Sequence, residues 1–208
     1  MQNASSYNQR MQKAVDQLLQ VLQHLYPLTP AIQEYFRENV FLSFYDRGAL
    51  VVEQHQTCEH YCFIVSGALR GFVKHADKEI TTWMSVENEL VTSIYSLHQR
   101  MPALENIQAV EPSWLLQLKV EAMEALYRAH PDFNISGRIL LQQYYRDAEL
   151  RAYLARIPDA EQKYRFFRAQ YPHLDQRMPL KLIASYLGIR HETLSRIRKR
   201  VERSGVGQ

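Results

Sequence analysis

The 208-residue sequence predicts an α+β fold: an N-terminal jelly-roll-like β-roll with flanking helices, a long central dimerisation helix and a C-terminal helix-turn-helix domain of winged-helix-like type. Short β-branched and aromatic runs alternate with turn residues between residues 40 and 118. A proline-free stretch follows at 133–157, and two amphipathic segments meet at a glycine within 179–201. The predicted domains are 1–130, 131–157 and 158–208.

The composition is that of a chain able to bury a core, with 46% hydrophobic and 23% charged residues. These values exclude a disordered or collagen-like chain. The longest apolar run has five residues, Tyr61–Val65, whereas a membrane helix needs roughly 20. The first residues lack the features of a secretory signal, and Cys58 and Cys62 are the only cysteines, so the predicted location is the cytoplasm.

Basic charge is concentrated in the last quarter of the chain. Residues 1–158 carry 14 Lys and Arg against 17 Asp and Glu, whereas residues 159–208 carry 11 against 5. This asymmetry is typical of an acidic sensing part joined to a nucleic-acid-binding part. Solvated surface charge would give the same distribution, so charge alone leaves both interpretations open.

Helices are predicted on both sides of the roll. The first has apolar residues at spacings of three and four from Val15 to Leu25 and stops before Pro27. The second begins at Pro30, with Thr29 as its cap. Five strands are predicted after these two helices: Ala49–Glu53, Tyr61–Val65, Leu69–Lys74, Glu79–Ser85 and Trp114–Leu118. A further helix is predicted after the strands, at Val120–Ala129. Turns are predicted at Ser66-Gly67 and Ala76–Lys78.

The segment from Phe133 to Ile157 predicts a helix about 35 Å long, at 1.5 Å per residue. Its apolar residues include Ile135, Ile139, Tyr144, Ala148 and Leu154. So long a helix cannot bury all of them on a small β-domain, and a second copy of the chain is therefore the predicted partner. Packing on its own subunit alone is the alternative.

Residues Pro179–Arg200 predict two short helices joined by a tight turn. Gly188 supplies the turn, and Ala184 lets the two helices cross closely. The inward positions are Ile183, Leu187, Ile189, Leu194, Ile197 and Val201. Small and apolar residues at all these positions predict a helix-turn-helix, whose second helix enters the major groove of DNA. A helical hairpin with no DNA role is the alternative.

The outward residues of the second helix are candidates for reading bases: His191, Glu192, Ser195, Arg196 and Lys199. Arg196 can donate two hydrogen bonds to guanine, and Glu192 can accept one from cytosine. Phosphate contacts, where charge matters more than geometry, are predicted for Lys181, Arg190, Thr193, Arg198, Arg200 and Arg203. Any one of these side chains could equally be an ordinary solvated group.

The residues on either side of the second helix lead to two further predictions. Arg190 stands just before the second helix, where Ser or Thr is the best capping residue, so the helix is expected to lose about 1 kcal/mol of stability. A bound phosphate can instead accept hydrogen bonds from the amides at the start of that helix. The five residues from Ser204 onward are too short for the strand pair of a wing. Any wing contact is therefore expected from residues 171–179.

The sequence resembles the Crp-Fnr transcription regulators through Tyr61–Arg70, Ile183–Ile189 and His191–Arg196, and the resemblance covers nearly the whole chain. It implies a cyclic-nucleotide-binding-like sensor domain, a dimerising central helix and a helix-turn-helix that binds a palindromic operator. The family's base-reading Arg-Glu-Thr-x-x-Arg pattern falls on His191, Glu192 and Arg196, so His191 replaces an arginine.

The resemblance also implies an effector pocket, and here the sequence departs from the members that bind cyclic AMP. Their Pro-Arg-Ala-Ala segment carries the arginine that meets the cyclic phosphate, whereas Ala103 follows Pro102 here and Glu105 would repel a phosphate. Asn88-Glu89-Leu90 keeps only a trace of their Gly-Glu-Leu segment. Cyclic AMP is therefore not the expected effector. The candidate pocket residues are Glu89, Tyr95, Arg100, Ala103 and Leu104, with Arg100 as an alternative cation from a shifted position.

No cofactor and no metal are predicted. The family's iron–sulfur oxygen sensors use cysteines near the N-terminus, and this chain has none before Cys58. Cys58, His60 and Cys62 alternate as if on one face of a strand, which leaves metal or redox sensing open. The commoner role of such cysteines is to fill a β-roll wall as small apolar residues.

The sequence thus predicts a homodimeric, sequence-specific DNA-binding transcription regulator. Its predicted partners are double-stranded DNA with an inverted-repeat operator, a second copy of the chain through residues 131–157, RNA polymerase and an unidentified small-molecule effector, with no membrane partner. The alternative is a ligand-binding or protein-interaction module with a non-functional DNA-binding domain. No motif of a nucleophile elbow, a phosphate-binding loop or a zinc protease occurs in the sequence, so an enzyme is not expected.

Overall fold

The computed structural model describes residues 2–204, which fall into two compact units. Unit 1 comprises Met1–Arg70 and Ser85–Gln143, and unit 2 comprises Gly71–Met84 and Tyr144–Gln208. The predicted limits of the three domains stay predictions. None of the helices described between residues 2 and 204 is both long enough and apolar enough to span a membrane.

Two helices come first along the chain, a run of short strands follows with one short helix within it, and the C-terminal part is helical. The helices are α1 (Gln2–Leu25), α2 (Pro30–Asn39), α3 (Ile94–Gln99), α4 (Val120–Ala129), α5 (Asn134–Arg156), α6 (Ala160–Gln170), α7 (Pro172–Arg177), α8 (Leu180–Leu187) and α9 (His191–Ser204). The strands are β1 (Val40–Tyr45), β2 (Leu50–Val52), β3 (His60–Ser66), β4 (Leu69–His75), β5 (Lys78–Ser85), β6 (Leu90–Val91), β7 (Asn106–Ala109) and β8 (Ser113–Lys119). A 3-10 turn, Pro131–Phe133, precedes α5.

The strands form two four-stranded sheets, as expected of a β-roll. The first has the order β1-β8-β3-β6, with Val40 opposite Leu118 and Cys62 opposite Gln117. The second has the order β2-β7-β4-β5, so β5 is the last strand of its sheet. The predicted mixture of a β-sandwich-like domain and helices is confirmed.

The core of unit 1 joins α1, α2 and α4 to the first sheet. Leu18 and Leu22 of α1 are buried together with Phe36 of α2 and with Leu116 and Leu118 of β8. The apolar spacing in α1 therefore marks its buried face, as predicted. Helix α2 also begins as predicted, because Pro30 is its first residue and Thr29 Oγ1 accepts a hydrogen bond from the Ile32 N–H at 3.3 Å.

Each of the five predicted strands is present with ends within one residue of those expected. The long helix predicted from Phe133 to Ile157 is α5, Asn134–Arg156. The structure adds β1, β6, β7, α3, α6 and α7. Of these, β6 has two residues and α3 has six, so neither is long enough to show a hydrophobic period.

Unit 2 contains most of the β4–β5 hairpin and the C-terminal helices. The buried side chains of α6 to α9 include Tyr164, Phe167, Leu174, Ile183, Leu187, Leu194, Ile197 and Val201. Residues 171–179, where a wing contact was expected, hold helix α7 and not a strand pair. The segment predicted to be too short for a wing begins at Ser204, and its residues 205–208 lie outside the described part of the chain.

Candidate nucleic-acid interface

Helices α8 and α9 are joined by a turn with well-defined backbone hydrogen bonds. Gly188 has φ +66° and ψ 32°, in the left-handed region. Its N–H donates to the Ser185 carbonyl at 3.1 Å, and the Ile189 N–H donates to the Ala184 carbonyl at 3.0 Å. This pair of bonds is the Schellman arrangement that ends a helix at a glycine. The turn predicted at Gly188 is therefore present.

Gly188 is required by its backbone angle and not by lack of space, because a Cβ built on it meets nothing within 4 Å. We expect Gly188→Ala to lower the free energy of unfolding of unit 2 by about 1 kcal/mol, the cost of left-handed backbone for a residue with a Cβ. Gly188→Asn should lose less, since asparagine visits this region more readily. Urea unfolding of the three proteins checks this; a loss for asparagine as large as that for alanine would contradict it.

The inner face of the α8–α9 pair is apolar, as predicted from the sequence. Ile183, Leu187, Leu194, Ile197 and Val201 are all buried, and Ile189 is half-buried. Ala184, the small residue expected at the crossing, is 3% exposed. The packing of this face fixes which side of α9 points outward.

The outer face of α9 carries the residues predicted to read bases. His191, Glu192, Arg196 and Lys199 are exposed, and Ser195 is half-buried. Arg196, Lys199, Arg200 and Arg203 line an open depression of about 440 Å³, which we call the cationic depression. Positions three, four and seven residues apart lie on one side of a helix, so these four cations share one face.

Two of the predicted phosphate-binding residues make contacts with acidic residues of unit 2. Arg198 Nε lies 3.1 Å from Glu202 Oε1, and its Nη2 donates to the Asp175 carbonyl at 3.3 Å. Arg200 Nη1 lies 2.9 Å from Glu161 Oε2. The other four are Lys181, Arg190 and Arg203, which are exposed, and Thr193, which is half-buried.

Two contacts that the sequence does not predict support the α8–α9 pair. Lys163 Nζ of α6 donates to the Leu187 carbonyl at 3.1 Å and so satisfies a carbonyl at the end of α8. Asp175 is 5% exposed and accepts the Tyr164 hydroxyl at 2.9 and 3.1 Å. Burial, together with the Asp175 carboxylate, raises the pKa of Tyr164 to about 12, so the hydroxyl remains a donor. The sequence does not predict either contact, because the donors Lys163 and Tyr164 belong to α6, a segment in which no motif was recognised.

The candidate effector residues lie in varied surroundings within unit 1. The Glu89 carbonyl accepts the Ile64 N–H at 3.0 Å. Tyr95 and Leu104 are exposed, at 47% and 58%, whereas Ala103 is fully buried. Arg100 has left-handed backbone, and its Nη1 donates to Glu121 Oε1 at 2.9 Å.

The Ala103 backbone is held on both sides. Its N–H donates to the Gln56 carbonyl and its carbonyl accepts the His55 N–H, each at 2.9 Å. Arg100 lies at the end of α3, and its Nη2 is also 3.6 Å from Glu124 Oε1 of α4. The position that the resemblance gives to a phosphate-binding arginine is thus a buried alanine, and the nearby arginine is engaged by carboxylates.

The two cysteines differ from the expected arrangement, because β3 begins at His60 and Cys58 lies before it. Cys58 and Cys62 are 3% and 2% exposed, and both line a cavity of about 100 Å³ with His60 and Gln117. Gln117 Nε2 donates to Cys62 Sγ at 3.5 Å. Among residues 2–204, no group of three or more His, Cys, Asp or Glu side chains is placed to hold a metal ion.

We expect both thiols to react with Ellman's reagent only when the protein unfolds. Burial blocks the approach to Cys58, and burial also raises the pKa of the Cys62 thiol to about 12, so little thiolate forms at pH 8. Absorbance at 412 nm in buffer and in guanidinium measures the two states. Rapid reaction of either thiol in the native protein would contradict this and favour a redox role.

Comparison with known proteins identifies the fold. Residues 42–130 match the family model of the cyclic nucleotide-binding domain. The search of curated proteins found no match. A CooA mutant from Carboxydothermus hydrogenoformans has a TM-score of 0.68 at 15% identity, covering 88% of this chain and 83% of that chain. FixK2 from Bradyrhizobium japonicum has a TM-score of 0.65 at 16% identity, covering 80% and 86%.

A third similar structure is CLP from Xanthomonas campestris, described as a c-di-GMP responsive global regulator. Its TM-score is 0.64 at 14% identity, covering 85% of this chain and 93% of that chain. At such identities the likeness is one of fold. Residues 42–130 are therefore similar to the cyclic nucleotide-binding domain, and the chain shares the fold of these three proteins.

Proposed function

We propose that the chain is a homodimeric, sequence-specific DNA-binding transcription regulator. The observation that carries the proposal is the two-sided character of α9, with an apolar inner face packed in unit 2 and an outer face that forms the cationic depression. A cationic helix face matches the phosphates of DNA, which supply most of the non-specific affinity of such proteins. The α8–α9 pair is then a helix-turn-helix, and α9 is its recognition helix.

The dimensions of α9 suit a major groove. A helix with its side chains is about 10–12 Å across, and the groove is about 12 Å wide. Its N-terminal residues His191 and Glu192 would meet base edges together with Ser195, Arg196 and Lys199. The C-terminal cations Arg200 and Arg203 would meet phosphates, with Lys181, Arg190, Thr193 and Arg198. Arg200 must exchange its Glu161 partner for phosphate to do so.

An exposed stripe on α5 supports dimerisation. Leu141 and Tyr145 are 56% and 68% exposed, and Ala148 and Ala152 are exposed as well. The spacing of four, three and four residues is that of a coiled-coil seam, so a second copy of α5 would cover the stripe. The apolar residues singled out in the sequence are mostly different: Leu154 is buried, and Ile135, Ile139 and Tyr144 are half-buried within their own chain.

The effector is proposed to be something other than cyclic AMP. Ala103 is fully buried where a guanidinium would be needed, and Arg100 is held by Glu121. Titration calorimetry with cyclic AMP should therefore give no binding heat. Binding at micromolar concentration, lost on Arg100→Ala, would show instead that Arg100 serves as the substitute cation.

Selection of fragments from random DNA tests the function. The full-length protein should enrich an inverted repeat at two salt concentrations, and Arg196→Ala should lose the enrichment at one base pair of each half-site. Retention of DNA without an enriched sequence, falling steeply with salt, would indicate only a basic surface. That result would favour a ligand-binding or protein-interaction module with a non-functional DNA-binding domain.

A further inference from the structure

Ser185 of α8 makes two hydrogen bonds with the backbone of β5 inside unit 2. Its Oγ accepts the Thr81 N–H at 3.0 Å and donates to the Glu79 carbonyl at 3.1 Å. Backbone groups two residues apart on a strand point to the same side. Because β5 is the last strand of its sheet, the hydroxyl occupies the place that a neighbouring strand would take along this edge.

The position of Ser185 on α8 makes this contact relevant to DNA. Lys181, a proposed phosphate contact, lies four residues earlier and therefore on the same face of the helix. In a helix-turn-helix the first helix crosses the DNA backbone. The face of α8 that would approach phosphates is thus the face on which the β4–β5 hairpin is docked.

We propose that the β4–β5 hairpin and DNA compete for this face of α8, so that the Ser185 contact is autoinhibitory. The inference rests on the proposed DNA-binding function. A contact present only in the DNA-free state must weaken DNA binding by as much as it stabilises that state. By the same linkage, bound DNA must release the Thr81 N–H.

The experiment measures operator affinity by fluorescence anisotropy with full-length wild type, Ser185→Ala and Ser185→Thr. Ser185→Ala removes both hydrogen bonds and should tighten binding about five- to thirtyfold, the effect of one to two net hydrogen bonds. Ser185→Thr keeps the hydroxyl and should remain within about twofold of wild type. Hydrogen exchange should show the Thr81 amide protected in the free protein and faster when operator is bound.

A second variant leaves α8 unchanged. Thr81→Pro removes the donor on β5, and proline is tolerated on an edge strand where the N–H is outside the ladder. It should tighten operator binding like Ser185→Ala, with circular dichroism confirming that the protein is folded.

The outcomes separate this inference from the function on which it rests. Operator affinity that is unchanged or weaker in both Ser185→Ala and Thr81→Pro would overturn the competition, leaving a contact that only covers a strand edge. Weaker binding in Ser185→Ala with no change in Thr81→Pro would overturn it too and would make Ser185 a phosphate contact. A wild-type protein that binds no DNA at all would overturn the proposed function itself.

Discussion

Replacing Leu141 and Tyr145 together by arginine is expected to give a monomer whose affinity for an inverted-repeat operator is about 100-fold lower or worse. Both side chains are more than half exposed on α5, so the substitutions should leave the fold of one chain intact. Four arginines facing each other across a two-fold axis would repel and would remove the apolar seam. The large effect follows because a dimer binds its second half-site at high effective concentration.

The matched control places arginine at Gln142 and Gln143, which are exposed on the same helix but off the stripe. This variant should remain a dimer by sedimentation and should bind the operator like wild type. If the Leu141 and Tyr145 variant also stays dimeric, the stripe is not the dimer interface. A monomer that keeps full operator affinity would contradict the proposal that two recognition helices act together.

Arg196→Ala is expected to cost about 1–3 kcal/mol of discrimination at a single base pair in each half-site. Arg196 is exposed on α9 at the edge of the cationic depression nearer the N-terminus, where a guanidinium can reach guanine O6 and N7. The measurement is a set of operators with every base substituted in turn, bound by both proteins. The variant should lose the preference at one position and keep it elsewhere.

Lys181→Ala is the control, because a phosphate contact carries no sequence information. It should weaken binding to all operators alike and reduce the slope of log affinity against log salt by about 1 for each site contacted. If Arg196→Ala also weakens every operator equally, Arg196 is a phosphate contact and the base-reading assignment is wrong.

Much of the fold could be predicted because burial imposes a period on the sequence. The apolar residues of α1 lie at the spacings that its packing on the first sheet requires, and Pro27 marks where the helix ends. Yet α1 begins at Gln2, well before the first periodic residue, since residues 5–10 are exposed and show no such pattern. Strand β6 was missed for a related reason, as two residues cannot display alternation.

The candidate nucleic-acid interface also has features that the sequence predicts and features that it does not. Gly188 and the buried positions of α8 and α9 could be predicted, because a left-handed turn and a close helix crossing each demand particular residue types. The Ser185 contact with β5 could not be predicted, since it joins residues 104 and 106 positions apart and leaves no local pattern. The residues that α5 leaves exposed could not be predicted, because the sequence does not show which apolar residues the chain itself covers.

The most direct test of the account is operator affinity as a function of the spacing between half-sites, varied one base pair at a time. Two recognition helices related by a dyad predict a sharp maximum where the half-site centres are about 34–36 Å apart, one helical turn. Insertion of five base pairs should lower the affinity to that of a single half-site, because the second helix then faces the opposite side of the duplex. Affinity that does not depend on spacing would contradict a two-fold dimer reading an inverted repeat.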